Sequence, residues 1–521
     1  MESGTVETKV GADGSNGAAG AETLEVLNPA TGEVIAKLPV DPPEAVAATV
    51  ARVRAAQPDW EAMGIEGRYH WLGKLRDWIL DNQDRILDTM QRETGKVRAD
   101  ASNEPTYLAD TINFYGTQAA KFIAEESVRP HSPLLAAKKL RVQYRPHPVV
   151  GIISPWNFPL ILSLGDAIPA LMAGAAVVIK PSEFTPLGIA EIAEAWKHEI
   201  GGPDVFDVVQ GIGETGGALV DNVDFIQFTG SDRTGRKVMA RAAETLTPVG
   251  LELGGKDPMI VLRDADVDRA ANAAAWGGMF NSGQVCISVE RIYVEEPIYD
   301  DFVAKLAAEV GRIRQGADDA RNPKDVGAMT SPNQTAIVES QVDDALANGA
   351  RALTGGKRVP GPGDYFEPTV LVDVDHSMKV MRDETFGPVV GVMKVRDSEE
   401  ALRLANDTRY GLSGSVFGEK TRAEGVARRV ECGAVNVNDV LVNYFASDVP
   451  MGGWKESGIG YRHGAQGIRK FCRTESLVIT RFGGKREPTW YPYTRGRRGL
   501  ITRMAKLING RDLKRRLGLK R

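Results

Sequence analysis

Short apolar runs alternate with helix-like segments between Val149 and Leu262, and this alternation constrains the fold more than any other feature of the chain. Such alternation is typical of βαβ units, in which helices cover a parallel sheet. The predicted elements are strands at Val149–Ile153, Ala175–Ile179, Val205–Val209 and Val223–Thr229, and helices at Leu162–Met172, Thr185–His198 and Arg236–Thr245. We therefore predict an α/β fold with a Rossmann-like domain.

A glycine-containing turn, Gly230 to Gly235, separates the last predicted strand and helix of this segment. A helix that starts at such a turn directs free backbone N–H groups outward, which is how the pyrophosphate of a dinucleotide is usually bound. The two glycines are five residues apart, so the spacing differs from G-x-G-x-x-G. Taken alone, the turn fits either a cofactor site or an ordinary turn.

Length and composition indicate a soluble enzyme. One hydrophobic core stops growing at about 250–300 residues, so 521 residues predict two large domains. With 42% hydrophobic and 26% charged residues, disordered, collagen and membrane classes are disfavoured. Prolines interrupt the most apolar stretch, Val149–Ile179, so no transmembrane helix is predicted.

The cysteines and the N-terminal segment indicate the compartment. Three scattered cysteines favour the cytoplasm. Residues 1–21 are predicted to be a disordered leader without a secretion signal.

Charge is distributed unevenly along the chain. The net charge is −5, yet residues 481–521 carry 14 Lys and Arg against two acids, which leaves +12 on this tail and −17 on the rest. Apolar residues lie at near-helical spacing within the tail: Leu500, Ile501, Met504, Leu507 and Ile508. The pattern predicts a basic helix that packs on the acidic body or a neighbouring subunit, or else makes a peripheral contact with anionic lipid. No nucleic-acid partner is predicted, because no binding module accompanies the charge.

Three residues could carry chemistry. Cys286 follows a flexible turn with a glycine, where a thiolate would be accessible and nucleophilic. Glu252 lies between apolar residues at a strand end, where burial would raise its pKa and make it a usable base. Asn157 follows a strand between two prolines and could direct its amide at an oxyanion. Each residue alone also has an ordinary interpretation: core packing for the cysteine, turn formation for the asparagine.

These motifs together resemble the aldehyde dehydrogenase superfamily, from about Glu25 to Thr480. The other segments that carry the resemblance are Lys180–Glu183, Phe228–Ser231, Asp383–Pro388 and Pro450–Gly458. The resemblance implies that Cys286 attacks the aldehyde carbonyl, that Asn157 and the Cys286 N–H hold the oxyanion, and that Glu252 activates water to hydrolyse a thioester. Because acylating relatives that use coenzyme A typically lack a carboxylate at the position of Glu252, hydrolysis is favoured.

The resemblance also implies a nicotinamide dinucleotide as cofactor. Glu183 would accept hydrogen bonds from both ribose hydroxyls and repel a 2′-phosphate, which favours NAD over NADP. The five-residue glycine spacing is the one that the family uses. The implied cofactor-binding residues are Trp156, Lys180, Ser182, Glu183, Gly230, Ser231, Gly235, Glu384 and Phe386.

The implied substrate pocket is mostly apolar. Its residues are Phe158, Leu162, Gly165, Val285, Ile287 and Met451, with Tyr444 and Phe445 nearby. Gly165 stands where relatives often have a bulky aromatic residue, so we expect a wide entrance and a medium-chain aliphatic or aromatic aldehyde. The alternative substrate is succinate semialdehyde, because Arg462–Gly464 is similar to a segment of some succinate-semialdehyde dehydrogenases, whose substrate needs a cation.

Other interpretations concern the class of protein and its ligands. A non-catalytic membrane-surface or structural protein on the same fold would be expected to have lost Cys286, Glu252 or Asn157, and all three are present. The six histidines show no ligand spacing with one another or with a cysteine, so no metal site is predicted.

The family pattern also implies a domain organisation. The expected parts are an NAD-binding domain at 22–123 and 147–253, a catalytic domain at 254–455, a small β oligomerisation arm at 124–146 and 456–482, and a basic extension at 483–521. Two strand-like segments, Arg141–Arg145 and Ser476–Thr480, could pair between subunits. We therefore expect a homodimer or a tetramer.

Overall fold

The computed structural model describes residues 22–319, 321–487, 490–517 and 519. The chain divides into two compact units: the first comprises Met1–Phe122 and Pro146–Phe471, and the second comprises Ile123–Arg145 and Cys472–Arg521. The leader expected at 1–21 lies outside the described residues.

The strands are β1 (Thr23–Leu27), β2 (Val34–Pro39), β3 (Glu126–Val128), β4 (Lys138–Pro146), β5 (Val149–Ile153), β6 (Ala176–Lys180), β7 (Phe206–Val208), β8 (Phe225–Thr229), β9 (Val249–Glu252), β10 (Asp257–Val261), β11 (Val289–Glu295), β12 (Arg351–Thr354), β13 (Arg358–Val359), β14 (Tyr365–Phe366), β15 (Thr369–Val372), β16 (Val389–Val395), β17 (Ser413–Phe417), β18 (Ala434–Val437), β19 (Gly458–Ile459) and β20 (Cys472–Thr480).

The helices are α1 (Pro43–Ala62), α2 (Gly64–Asp81), α3 (Gln83–Thr94), α4 (Arg98–Ala101), α5 (Asn103–Phe122), α6 (Leu164–Ala173), α7 (Leu187–His198), α8 (Gly213–Asn222), α9 (Asp232–Glu244), α10 (Val267–Met279), α11 (Tyr299–Gly311), α12 (Pro332–Ala347), α13 (Ser398–Asn406), α14 (Lys420–Ala427), α15 (Gly464–Arg469), α16 (Arg495–Asn509) and α17 (Leu513–Arg516).

The first sheet of the first unit has the order β19-β9-β8-β5-β6-β7. Neighbouring strands run parallel except at β19, where Gly458 pairs antiparallel with Glu252. The residues of β6 and β8 are all buried, as parallel strands covered by helices must be. The α/β class and the predicted order of strands and helices in this segment are confirmed, and β5 has the predicted bounds.

The second sheet of this unit has the order β12-β15-β16-β11-β10-β17-β18. Its neighbouring strands are parallel except for β12 against β15. All seven residues of β11 are buried, including Glu290, Arg291 and Glu295. These strands lie between Asp257 and Val437, whereas the first sheet is built from Val149–Glu252 and β19. The first unit thus contains two large sheets, each built from its own stretch of the chain.

The second unit contains a three-stranded sheet with the order β20-β4-β3. β3 and β4 are antiparallel, with Glu126 opposite Val142. The strand-like segments noted in the sequence belong to β4 and β20. The expected arm began at 456, but residues up to Phe471 lie in the first unit, because β19 pairs with β9 and α15 packs on α5 and α6.

The tail helix predicted from the sequence is present as α16 in the second unit. Among the described residues, no helix combines the length and the apolar character that a membrane crossing requires.

A buried turn between α10 and β11 has unusual backbone geometry. Asn281, Ser282 and Gly283 follow one another with φ angles of 51°, 57° and 68°. A non-glycine residue in this region is strained by about 1 kcal/mol or more and persists only where its surroundings fix it. A Cβ on Gly283 would lie 2.0 Å from the carbonyl oxygen of Gly387, so position 283 requires glycine for space as well as for conformation.

We predict that Gly283→Ala lowers the free energy of unfolding by about 2–4 kcal/mol, because the new Cβ meets backbone that cannot rotate away. Gly73→Ala is the matched control: Gly73 lies in α2 with no atom within 4 Å of the added Cβ. The control should stabilise the helix by about 0.5–1 kcal/mol. Unfolding in urea, followed by circular dichroism, measures both changes, and equal midpoints for the two variants would contradict the expectation.

Candidate active site

Cys286 lies between two cavities. The larger cavity, about 370 Å³, is lined by Cys286, Asn157 and Glu252 together with other polar, apolar and glycine residues. The smaller cavity, about 40 Å³, reaches Cys286 from another side and is lined by apolar and aromatic side chains. Asn157 and Glu252 stand at the carboxyl ends of β5 and β9, the edge of a parallel sheet where ligands usually bind. The structure therefore brings the three predicted catalytic residues to one cavity.

The turn that precedes Cys286 is fixed by hydrogen bonds to the loop that follows β5. Asn281 Nδ2 donates to the carbonyl oxygen of Asn157 at 3.0 Å, and Asn157 Nδ2 donates to the carbonyl oxygen of Gln284 at 2.9 Å. The Asn281 backbone N–H also donates to Asp100 at 3.0 Å. An amide has two N–H donors, so one hydrogen of Asn157 anchors the turn and the other is left for a ligand beside Cys286.

The loop of Asn157 is supported by a buried ion pair that the sequence did not reveal. Lys96 Nζ lies 2.7 Å from Glu104 and donates to the carbonyl oxygen of Asn157 at 2.8 Å. The other carboxylate oxygen of Glu104 accepts from the backbone N–H groups of Leu160 and Ile161. Both charged side chains are almost completely buried. A lysine and a glutamate eight residues apart in a sequence do not by themselves indicate a buried ion pair.

Glu252 is the last residue of β9, and its side chain is only 4% exposed. Its carbonyl oxygen accepts from the N–H of Gly230, which aligns it with the glycine turn. Burial raises the pKa of Glu252 to about 7, and the charges of Arg462 and Lys470 limit the rise. A carboxyl group with this pKa can take and return a proton near neutral pH.

Arg462 is the cation nearest Glu252, with 3.8 Å between Nη1 and Oε2. Its guanidinium is bound on the other side by Asp166, with nitrogen to oxygen distances of 2.7, 3.1 and 3.2 Å, and by the hydroxyl of Thr229. Lys470 also pairs with Asp166, at 3.4 Å. The sequence suggested that the segment Arg462–Gly464 offers a cation for a substrate carboxylate. In the structure, the Arg462 guanidinium contacts Asp166 and Glu252 instead.

The Cys286 thiol is protonated at neutral pH in this environment. Burial raises its pKa to about 12, and the nearby acids Asp257, Glu252 and Glu384 act in the same direction against Arg462. A nucleophilic attack by this sulfur therefore requires a group that accepts the thiol proton. Glu252 lines the same cavity and has the appropriate pKa.

Five of the nine predicted cofactor residues line the larger cavity: Trp156, Gly230, Ser231, Glu384 and Phe386. Ser231 caps α9 by accepting from the N–H of Thr234, so the N-terminus of this helix faces the cavity. Gly230 has no room for a side chain, because a Cβ would lie 2.8 Å from the Phe228 ring. Gly235 does not line the cavity; it lets α9 approach Leu253.

Glu384 and Phe386 are placed by a second buried ion pair. Lys256 pairs with Glu290, and Glu290 accepts from the backbone N–H groups of Thr385 and Phe386. Glu384 accepts from the Gly255 N–H at 3.1 Å. The Phe386 ring meets Trp156 edge to face at 5.3 Å. Burial raises the pKa of Glu384 to about 8. Lys256 and Glu290 were not identified from the sequence.

Lys180, Ser182 and Glu183 lie at the carboxyl end of β6 and do not line the larger cavity. Lys180 is buried, and its ammonium group lies 3.4 Å from Glu183, which is 29% exposed. Burial lowers the pKa of Lys180. An ammonium and a carboxylate at the same edge of the parallel sheet as the glycine turn match the hydroxyl groups of a ribose, so these residues fit the implied dinucleotide.

The smaller cavity contains four predicted pocket residues: Phe158, Leu162, Val285 and Ile287. Tyr444 and Phe445 line it as expected, and Ile161, Phe280 and Leu441 complete it. No charged side chain is among its lining residues in the described part of the chain.

Gly165 and Met451 lie elsewhere. Gly165 borders a separate cavity of about 10 Å³, and the Tyr107 ring comes within 3.2 Å of the position of a Cβ on Gly165. Met451 is buried and exchanges backbone hydrogen bonds with Arg462. The wide entrance expected at Gly165 is therefore not found at the apolar cavity, because Tyr107 stands over the glycine.

Comparison with known proteins identifies the family of the chain. The model of the aldehyde dehydrogenase family matches residues 17–477. A Mycolicibacterium smegmatis protein, provisionally named succinate-semialdehyde dehydrogenase (NADP(+)), is 42% identical over 87% of each chain. The 4,4'-diapolycopene aldehyde oxidase of a Methylomonas species is 39% identical over 91% of this chain and 88% of its own.

A solved structure extends the likeness to the fold. The provisionally named aldehyde dehydrogenase PutA from Anabaena variabilis superposes with a TM-score of 0.85 at 38% identity, covering 90% of this chain and all of its own. The match of family, sequence and fold over most of the chain leads to one conclusion: this protein belongs to the aldehyde dehydrogenase family.

Proposed function

We propose that this enzyme oxidises an uncharged, apolar aldehyde to the carboxylic acid through a thioester on Cys286, which water then hydrolyses. The observation that carries the proposal is the position of Cys286, which lines both an apolar cavity and a larger cavity of mixed character that Asn157 and Glu252 also line. A bound nicotinamide dinucleotide supplies the hydride acceptor for the oxidation.

In the first step, the Cys286 sulfur forms a bond with the aldehyde carbon and the carbonyl electron pair moves to oxygen. The free N–H of Asn157 and the backbone N–H of Cys286 would stabilise this oxyanion. The thiol proton leaves as the bond forms, because a thiol with a pKa of about 12 supplies little thiolate at neutral pH. Glu252, with a pKa of about 7, is suited to accept that proton.

Before the second step, Glu252 releases the thiol proton to solvent; it then removes a proton from water while the water oxygen adds to the thioester carbon. The carbon–sulfur bond then breaks, the acid is released and Cys286 regains a proton. A carboxylate held near neutral pKa by burial can perform both transfers in turn. With Glu252 in this role, the acyl group passes to water and not to coenzyme A. A product that formed only in the presence of coenzyme A would contradict the role.

For the cofactor, we propose that NAD is preferred over NADP. The support is the Glu183 carboxylate, whose charge would repel a 2′-phosphate. Lys180 lies 3.4 Å from Glu183 and weakens that repulsion, and the names of the Mycolicibacterium relative and others specify NADP. Comparing kcat/KM for the two dinucleotides tests the preference, and a higher value with NADP would overturn it.

The preferred substrate class follows from the apolar cavity. Its lining offers no hydrogen-bond partner for a charged group, and burying an unpaired carboxylate there would be costly. A relative named for 4,4'-diapolycopene aldehyde supports an apolar substrate.

Succinate semialdehyde is the second candidate, and the names of several relatives favour it more than an apolar aldehyde. Arg462, the cation that would bind its carboxylate, pairs with Asp166 beside Glu252 and does not line the apolar cavity. A substrate carboxylate would have to displace Asp166 or find another cation.

We predict that Cys286→Ser abolishes NADH formation, whereas Cys432→Ser, the same change at a buried cysteine remote from the cavity, keeps wild-type activity. Glu252→Gln should give a slowed burst of one NADH per active site, followed by turnover reduced about 10²–10⁴-fold, because the variant lacks the base for the thiol proton and, more severely, for the hydrolytic water. Stopped-flow absorbance measures the burst. Full turnover in Glu252→Gln would show that another group activates the water.

We predict that kcat/KM rises about threefold to fourfold for each methylene added along a series of short straight-chain aldehydes, as burial of each CH₂ in an apolar cavity requires. Succinate semialdehyde is compared with butanal, its uncharged counterpart of equal carbon number. The apolar proposal expects the higher kcat/KM for butanal. The opposite order would establish the second candidate.

We predict that the rate of hydrolysis falls about tenfold for each pH unit below about 7, because only the carboxylate form of Glu252 is a base. Removing the charge with Arg462→Gln raises the Glu252 pKa, so the acid limb of the kcat profile should move to higher pH. Arg462→Lys keeps the charge and should leave the limb close to its wild-type position. An unchanged profile in Arg462→Gln would exclude Arg462 as the group that sets this pKa.

A further inference from the structure

The C-terminal helix α16 exposes an apolar stripe. Leu500, Ile501 and Leu507 are 51%, 41% and 56% exposed. With Met504 and Ile508 they span about 120° of the circumference at about 100° per residue, so they form one continuous face. We call these five residues the tail stripe. Exposed large apolar residues grouped on one face, instead of scattered singly, mark a contact surface.

Positive charge accompanies the tail stripe. The sequence from Arg495 to Arg511 contains no acidic residue, and Arg503 and Lys506 are exposed beside and opposite the stripe. α17 adds Lys514, Arg515 and Arg516 within a few residues. An apolar face between cationic side chains is the pattern of helices that lie in the interface of an anionic bilayer.

Aromatic residues precede the helix. Trp490, Tyr491 and Tyr493 are 57%, 76% and 50% exposed. Tryptophan and tyrosine favour the boundary between lipid and water, because each has an apolar ring and a polar group. With 15 residues, α16 is also too short to cross a bilayer.

We propose that α16 and the aromatic segment before it bind the surface of an anionic membrane. The family model ends at residue 477, so this segment lies outside the part of the chain that the shared fold accounts for. The inference does not depend on the proposed function. A lipid surface matches all three features, whereas a nucleic acid would engage the cations and leave the tail stripe in water.

Cosedimentation of the full chain with vesicles of equimolar phosphatidylcholine and phosphatidylserine tests this proposal, with pure phosphatidylcholine vesicles as the reference. We expect binding to the anionic vesicles, with a partition coefficient at least about tenfold lower on the reference vesicles or at high salt. Leu500→Ser with Leu507→Ser should lower partitioning at least about tenfold. Ala505→Ser with Asn509→Ser makes the same number of changes in α16 outside the tail stripe and should bind like the wild type.

Three results would overturn the proposal. The first is that the full chain does not sediment with anionic vesicles. The others are that a chain ending at Arg481 binds them as well as the full chain does, and that the two double variants bind them equally. A tail-dependent change in sedimentation coefficient without vesicles, abolished by Leu500→Ser with Leu507→Ser, would assign the tail stripe to a second copy of the chain instead. Salt-sensitive binding to DNA that outcompetes the vesicles would assign the tail to nucleic acid.

Discussion

The reacting groups stand on loops of two different sheets, and a reciprocal pair of hydrogen bonds joins those loops. Asn281 donates to the backbone of Asn157, and Asn157 donates to the backbone of Gln284. These bonds also keep three successive residues in left-handed conformation, a strain that only a fixed environment tolerates. The turn before Cys286 and the loop of Asn157 are thereby held together by backbone that cannot relax, which is how a site keeps its geometry before substrate arrives.

Buried charged side chains have two different functions around the hydrogen-bonded loops of Asn157 and Asn281. Lys96 with Glu104, and Lys256 with Glu290, are close pairs whose remaining atoms bind loop backbone, so each pair positions a loop. Glu252 is different, because its nearest cation is 3.8 Å away and is bound more closely by Asp166. Because the nearby cations compensate the charge of Glu252 only in part, its pKa stays near 7. A closer pair would have fixed the carboxylate in its charged form and made it a weaker base.

Local patterns in the sequence predicted four strands of the first sheet, β5 to β8, because buried parallel strands are nearly continuous apolar runs. α8 was not predicted, since Gly213, Gly216 and Gly217 lower its helix propensity and packing on α1, α9 and the sheet stabilises it. The candidate catalytic residues were proposed through motifs, whereas Lys96, Glu104 and Asp166 acquire their roles from partners distant in the chain. Gly165 shows the same limit: Tyr107, 58 residues earlier, stands over the space that the glycine leaves.

For the identity of the substrate, the motif and the contacts favour different candidates. Arg462 suggested a cation for a carboxylate substrate, but a guanidinium that already holds a carboxylate at 2.7 Å has its charge satisfied in a buried site. Recruiting it for a ligand would leave Asp166 with Lys470 as its remaining cation. In the apolar cavity a charged group would find no partner, whereas each buried methylene is favourable by about 0.8 kcal/mol. For the proposed apolar substrate, discrimination against charge would come from the cavity walls, whereas the names of several relatives favour succinate semialdehyde.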